Sequence, residues 1–361
     1  MIDFSPKRWH EVKENYRRWW AGELKRPLFN FTTTGRDPGR PAPRAWPTRK
    51  VRLYDPSYSP EEIADAWEYD LSTKVYLGDA FPCVWPDFGP GVMAAFIGAV
   101  AEPSEATETV WFHPAEPKEM KDIRLRYHPE ARWAKRIKDI YRAAQQRFGA
   151  QVLLGMTDLG GNLDILSTFR PAEQLLLDLY DHPEEVKRVT WEAHEIWFQY
   201  FDDFNRLLQP VNPGYSAWAP IYSDVPYYML QCDFCYMIGP KMFDEFVKPE
   251  LEATCQRIPH CFYHLDGKGQ LPHLDSLLRI KELKGVQWIP GAGAPDERHW
   301  PEVYRKIRRA GKLIQIFGFP QVLDPIVDQL GSAEGIILIN QWGDRSSEKD
   351  MEKCLLKYGA L

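Results

Sequence analysis

Cysteine is scarce in this 361-residue chain. Its six thiols, Cys83, Cys232, Cys235, Cys255, Cys261 and Cys354, are too few for a disulfide framework at this length and suit a reducing compartment. Only Cys232 and Cys235 form a CxxC, and without a second such pair a zinc ribbon is excluded. No uninterrupted apolar stretch approaches the roughly 18 residues that a spanning helix needs, so no membrane association is expected. The opening segment, MIDFSPKRWHEVKENYRRWWAGELKRPLF, carries charges throughout and lacks the apolar core of a secretory signal. These absences predict a cytoplasmic protein. There is no Lys/Arg block either. With 45 basic against 51 acidic residues, a net charge of −6, the chain has no electrostatic footprint for nucleic acid or anionic lipid. It shows no solenoid repeat and no linker long enough to split it, which predicts one domain over residues 1–361.

Aromatic residues, by contrast, are abundant: there are 14 tryptophans. Trp19 and Trp20, on a helical segment, read as packing mass, whereas several others fall at strand ends. Short β-branched or aromatic runs bounded by Gly, Pro or Asp recur at 28–33 (LFNFTT), 75–85, 152–158, 215–222, 261–266, 285–293, 313–319 and 335–340. Segments of helical periodicity alternate with them. About eight runs is the number an α/β barrel needs, and the regular alternation from residue 260 onward is that of right-handed βα units. The expected fold is therefore a single (β/α)8 TIM barrel. Helices are expected over 117–147, over 182–208 with Pro183 in its first turn, and over 239–258 with an interruption near Pro249. The Pro- and Arg-rich stretch 34–60 reads as a long loop at the barrel mouth.

In a parallel barrel the chemistry gathers where strands end. Within CFYHLDG, strand alternation puts Phe262, His264 and Asp266 on one face. His264 and Asp266 would project together into the mouth, able to share a metal or orient a proton. The bland alternative is a core histidine and a helix cap. Asp158, which ends VLLGMTD ahead of Gly160 and Gly161, is a second candidate acid or base; a turn cap is the alternative. Candidate substrate contacts at other run ends are Asp79, Trp85, Trp218, Tyr222, Asp224, Tyr227, Trp288, Asn340, Gln341 and Trp342. The aromatics among them, with Tyr228, are expected to form a cage, with at least three of Trp85, Trp218, Tyr222, Trp288 and Trp342 lining one pocket.

Four stretches carry a family resemblance: GGNLDILSTFRPAEQLLLDLYDHPEEV (160–186), DFCYMIGPKMFDEFVKPELEATCQRI (233–258), FYHLDGKGQLPHLDSL (262–277) and FGFPQVLDPIVDQLGSAEGIILI (317–339). In this order they resemble the uroporphyrinogen decarboxylase-like superfamily, which includes the corrinoid-linked methylcobamide:coenzyme M methyltransferases. The resemblance implies an (α/β)8 barrel with a funnel at the carboxyl ends. True decarboxylases open with an arginine-rich segment that RPLFNFTTTGRDPGR does not match. The methyltransferase branch holds zinc with an HxC and a distant Cys. His264 matches, Asp266 stands where the Cys would, and no cysteine lies near residues 336–347. Carboxylate in place of thiolate implies a harder, more Lewis-acidic site.

The implied function is methyl transfer between a small methylated compound, or a corrinoid protein, and an acceptor near His264. Zinc would be held by His264 and Asp266, with Asn340, Gln341 or water completing the shell. No DxHxxG segment is present, so any corrinoid would arrive on a partner. A homodimer is the candidate assembly. The alternatives are a metal-free decarboxylase or lyase working through Asp158 or Asp266, and a non-catalytic binder of a small aromatic or sugar-like ligand.

Overall fold

The computed structural model describes residues 1–44 and 49–361. Its strands are β1 (Leu28–Thr34), β2 (Lys74–Gly78), β3 (Cys83–Val84), β4 (Ala99–Ser104), β5 (Thr109–Pro114), β6 (Leu153–Leu154), β7 (Tyr227–Leu230), β8 (His260–Asp266), β9 (Gly285–Ile289), β10 (Leu313–Phe317) and β11 (Ile336–Gly343). The central sheet has the order β2-β1-β11-β10-β9-β8-β7. All its pairings are parallel except that of β2 with β1. A second parallel ladder joins β3 to β6, and β4 and β5 form an antiparallel hairpin. Helices pack around this sheet in a mixed α/β arrangement. Among the described residues no ladder joins β1 to β3 or β6 to β7, so backbone hydrogen bonds do not close the sheet into a barrel. Among the described residues no helix is long and apolar enough to cross a membrane.

Two expected strands are corrected. The run 215–222 makes only an isolated antiparallel bridge, Tyr215 to Ser223. Pro220 supplies no N–H for a ladder. The segment instead lies against the inner ends of other strands: Ser216 O accepts from Met156 N at 2.9 Å, and Asn30 Nδ2 on β1 donates to Pro220 O at 2.9 Å. The run 75–85 splits into β2 and β3. Gly78 turns the chain at φ +62°, where a Cβ would lie 2.9 Å from Phe29 Cβ and 2.8 Å from a Leu355 methyl, so both conformation and space call for glycine. The strand Tyr227–Leu230, directly after Pro226, was not expected.

The helix Pro6–Trp20 starts at an N-cap, Ser5, whose hydroxyl accepts from Arg8 N. It buries Trp9, Val12, Tyr16 and Trp19 at spacings of three and four. These residues seal the amino-terminal end of the sheet. Tyr16 meets Phe81 and Tyr222 at 5.7 and 5.8 Å, and Trp19 stacks on Phe262 at 5.9 Å. Each such ring contributes about 1.5–3 kcal/mol by burial. Function is therefore left to the opposite, carboxyl end. The expected helix 182–208 is present as Pro183–Leu208. That over 239–258 contains a π-helical turn at Phe243–Val247, where Pro249 lacks the N–H of a regular α-turn. The helix expected over 117–147 begins only at Arg132. Within 34–60, residues Arg49–Tyr54 are helical, and Arg52 and Leu53 reach the carboxyl-end cleft described below; residues 45–48 of that stretch lie outside the described residues.

Candidate active site

His264 and Asp266 project from the carboxyl end of β8 on one face, as strand alternation requires. His264 Nε2 stands 4.0 Å from Asp266 Oδ2. A third side chain, which sequence reading missed, completes the group. Asp233, in the turn after β7, brings a carboxylate oxygen to His264 and Asp266 so that the three donor atoms lie within 4.8 Å of one another. Its position is built from the neighbouring strand end. Asp164, in the first turn of the helix Asn162–Phe169, accepts from Asp233 N and Phe234 N at 2.8 Å each. Gln270, whose amide oxygen accepts from the Tyr263 hydroxyl at 3.2 Å, lies beside the Asp233 carboxylate and favours its charged form. Gly269 is needed here because Tyr236 lies where its Cβ would be, 2.5 Å from a ring carbon.

Asp158 is nearby but outside the triad. Tyr141 anchors its segment by donating to Gly155 O and accepting from Thr157 N at 2.9 Å each. The Tyr228 hydroxyl accepts from Leu159 N at 2.8 Å. The buried Asp158 carboxylate accepts from Gly160 N at 2.9 Å and from the Gln231 amide at 3.3 and 3.4 Å. Among the described residues no lysine or arginine lies within ion-pairing distance of Asp158, Asp164, Asp233 or Asp266.

Burial pushes Asp158 up to about 7, with the Asp87 charge adding and the two hydrogen bonds opposing. Burial and the charge of Asp233 likewise raise Asp164 to about 7 against its backbone hydrogen bonds. Asp233 is raised by lost hydration and by Asp266, with His264 opposing; the residue keeps an exposed side, so that hydration is only partly lost. Two carboxyls poised near neutrality suit proton transfer at ordinary pH.

A carboxyl raised from 3.8 to about 7 contributes stability below about pH 4 that is lost as pH rises through 7. Asp158→Asn keeps the shape without the charge. It should raise the urea midpoint at pH 8 by the equivalent of about 1–3 kcal/mol, with the gain shrinking toward pH 4. A gain independent of pH would show that Asp158 is not the group responsible.

Two recesses open at strand ends on this side of the sheet. One, of about 300 Å³, is lined by Asp164, Gln231, Asp233, Phe234, Pro90 and Gly91 among others. The other, of about 140 Å³, lies toward β3 and β11 and includes Trp85, Gln341, Arg52, Lys74 and Asp87. Trp218 packs edge-on to His264, centroids 5.2 Å apart at 87°. Gln341 donates to Asn30 Oδ1 at 3.3 Å.

Other sequence candidates lie elsewhere. β2 is antiparallel, so its end is at the amino-terminal face, and Asp79 is locked there by Arg26, Asn15 and Phe29 N. Tyr222, Asp224 and Tyr227 precede or begin β7 and meet the first helix: Asp224 pairs with Arg17 and accepts from the Tyr222 hydroxyl, and Tyr227 packs on Trp20. Tyr228 is fully buried against Trp197. Trp288 is on the outer face of β9, fully buried against Trp300 at 5.1 Å. Trp342 is exposed beside Phe317 and Phe319. Asn340 is buried and donates to Gly318 O at 3.2 Å, unlike the shell ligand it was expected to be. The five rings expected to share a pocket are thus dispersed: Tyr222 lies before β7 at the first helix, Trp288 is on the outer face of β9, and Trp342 is exposed beyond the core. Asp233 had one legible signal, its place in QCDFC straight after the aromatic run YYML.

No family model matches the chain. No curated protein matches it either. Among solved structures it is similar to a methyltransferase from Methanosarcina mazei, at 13% identity over 96% of this chain and 99% of that one, with a TM-score of 0.62. At that identity the likeness shows a common fold, and it extends over nearly the whole length of both chains.

Proposed function

We propose that this chain is a methyltransferase-like enzyme of the uroporphyrinogen decarboxylase superfamily. It would move a methyl group between a small methylated compound, or a corrinoid protein, and an acceptor held at Asp233, His264 and Asp266. The observation that carries the proposal is the convergence of those three side chains at one end of the parallel sheet. The fold likeness to a methyltransferase supports it, as does the resemblance of residues 160–186 and 233–277 to the superfamily. The proposal includes barrel geometry, with β3 and β6 standing between β1 and β7 to give eight parallel strands in β1, β3, β6 and β7 to β11. It also includes a cytoplasmic setting and a homodimer.

The donor set fits a divalent ion such as zinc: one imidazole and two carboxylates, with no hydrogen bond to His264 Nε2 among the described residues. Such an ion would supply Lewis acidity that lowers the pKa of a coordinated acceptor. With no thiolate among the donors, the acceptor class it favours is an oxygen or nitrogen group rather than a thiol. Asp158 and Asp164 are placed to hold or release the proton that the acceptor loses, and Gln231 orients Asp158. The recess beside Asp164 and Asp233 would take the small substrate.

A second reading has one observation in its favour. Asp158 is buried without a cationic partner among the described residues, the environment a decarboxylase or lyase acid would have. The dispersed aromatic rings give no support to a non-catalytic cage.

Titration of metal-free protein with zinc or manganese, followed calorimetrically, tests the reading. About one equivalent should bind per chain, binding should be lost in Asp233→Ala, and methyl transfer from methylated donors should depend on the metal. Absence of saturable binding together with absence of methyl transfer would reject it, and metal-independent release of carbon dioxide would establish the second reading instead.

A further inference from the structure

The two ring nitrogens of His264 are treated differently by their surroundings. Nε2 faces the carboxylates of the triad, whereas Nδ1 is bonded to Oε1 of Gln287. Gln287 in turn donates from Nε2 to Oε1 of Gln315. The strand register makes this chain of contacts: His264 pairs with Gln287 across β8 and β9, and Gln287 pairs with Gln315 across β9 and β10. Residues paired this way project side by side from one face at the strand spacing of about 4.8 Å. Both glutamines are fully buried, so bulk water does not compete for their amides. Trp218 edge-on to the imidazole limits its rotation.

An amide can be turned over, and the direction of such a chain has chemical consequences. In the orientation assigned here, Gln287 spends its donor on Gln315, whose own Nε2 has no partner among the described residues, and offers only its carbonyl to the ring. Nδ1 must then carry a hydrogen. With both amides reversed, Gln287 would donate to Nδ1, and the ring hydrogen would sit on Nε2, withdrawing the lone pair from the triad.

We infer that Gln287 and Gln315 are positioning residues that keep a hydrogen on Nδ1 of His264, leaving the lone pair of Nε2 directed at Asp233 and Asp266. The functional meaning of this rests on the proposed reading of the triad; the hydrogen-bond order does not. A cation at Nε2 would meet that lone pair while Nδ1–H stays bonded to Gln287, so the ring would not need to turn. A metal-ligating imidazole is held in this way by a group outside the ligand set, and losing that group weakens metal binding about 10–100-fold.

The test uses the full chain, labelled with ¹⁵N-histidine and stripped of metal, with the His264 signals assigned by their loss in His264→Asn. At a pH where the ring is neutral, Nδ1 should give the shift of a hydrogen-bearing nitrogen and Nε2 that of a lone-pair nitrogen. In Gln287→Met, which keeps the volume but removes the acceptor, a lone-pair signal should arise at Nδ1. Gln315→Met should give a mixture by freeing the Gln287 amide. A lone-pair Nδ1 in the wild type overturns the inference, as does an unchanged tautomer in a folded Gln287→Met protein. If that variant does not fold, the wild-type spectrum and Gln315→Met decide. Because no metal is added, the outcome is separable from the metal reading: a protein that binds no zinc but holds Nδ1–H retains the relay and loses the proposed function. Where zinc does bind, Gln287→Met should weaken it about 10–100-fold.

Discussion

His264→Ala is expected to abolish methyl transfer and to reduce metal affinity by more than the roughly 100-fold that loss of an outer partner costs, while lowering unfolding free energy by about 1–3 kcal/mol through the buried Gln287 amide it leaves unpaired. The side chain stands at the carboxyl end of β8, mostly buried but outside the hydrophobic core, so the fold survives its removal. Its contacts are with groups that take part in the site: Gln287, Trp218, Asp233 and Asp266. Deleting the imidazole leaves Asp233 and Asp266 facing each other without the ring between them, which neither holds a cation as well nor relieves their mutual repulsion. Denaturant titration alongside the activity assay separates the possibilities. A variant that unfolds while the wild type binds no metal would identify His264 as a core histidine.

Asp79→Ala should have the opposite profile: a loss of about 3–5 kcal/mol in stability with unchanged KM in whatever protein remains folded. The carboxylate is buried and receives Arg26 through both oxygens, at 2.7 and 2.9 Å, together with Asn15 Nδ2 at 2.8 Å and Phe29 N at 3.0 Å. Removing it strands the mostly buried guanidinium of Arg26 and a buried backbone N–H at once. Equilibrium urea unfolding measures the loss. A selective rise in KM at wild-type stability would return Asp79 to the substrate site, where a reading of strand ends alone had put it.

The contrast between His264 and Asp79 shows how far periodicity reaches. The alternation CFYHLD was enough to place His264 and Asp266 on one face, and the spaced apolar runs from residue 260 onward announced β8 to β11 in order. Both are local properties, set by the two-residue repeat of an extended chain and by the Gly, Pro and Asp residues that end it. Strand direction is not local. Whether the run after residue 74 ends at the mouth or at the sealed face depends on which neighbour it pairs with, and β2 pairs antiparallel to β1. The same holds for Tyr222 and Asp224, which the bridge from Tyr215 to Ser223 carries back toward the first helix. It also holds for Trp288, whose face of β9 is the outer one because Gln287 and not Trp288 shares the register of His264.

By itself, then, the sequence determined the α/β class, the four last strands and the sharing of a face by His264 and Asp266. Only the tertiary structure decided that Asp233 joins them, that Asp164 fixes Asp233, that Gln287 and Gln315 line up behind His264, and that five of the expected substrate residues lie away from the mouth: Asp79, Tyr222, Asp224, Tyr227 and Trp288. The physical reason is range. Side-chain alternation is written over two residues, whereas the convergence of Asp233 on His264 spans a helix and a strand crossover, and is fixed by packing that no short window of sequence contains.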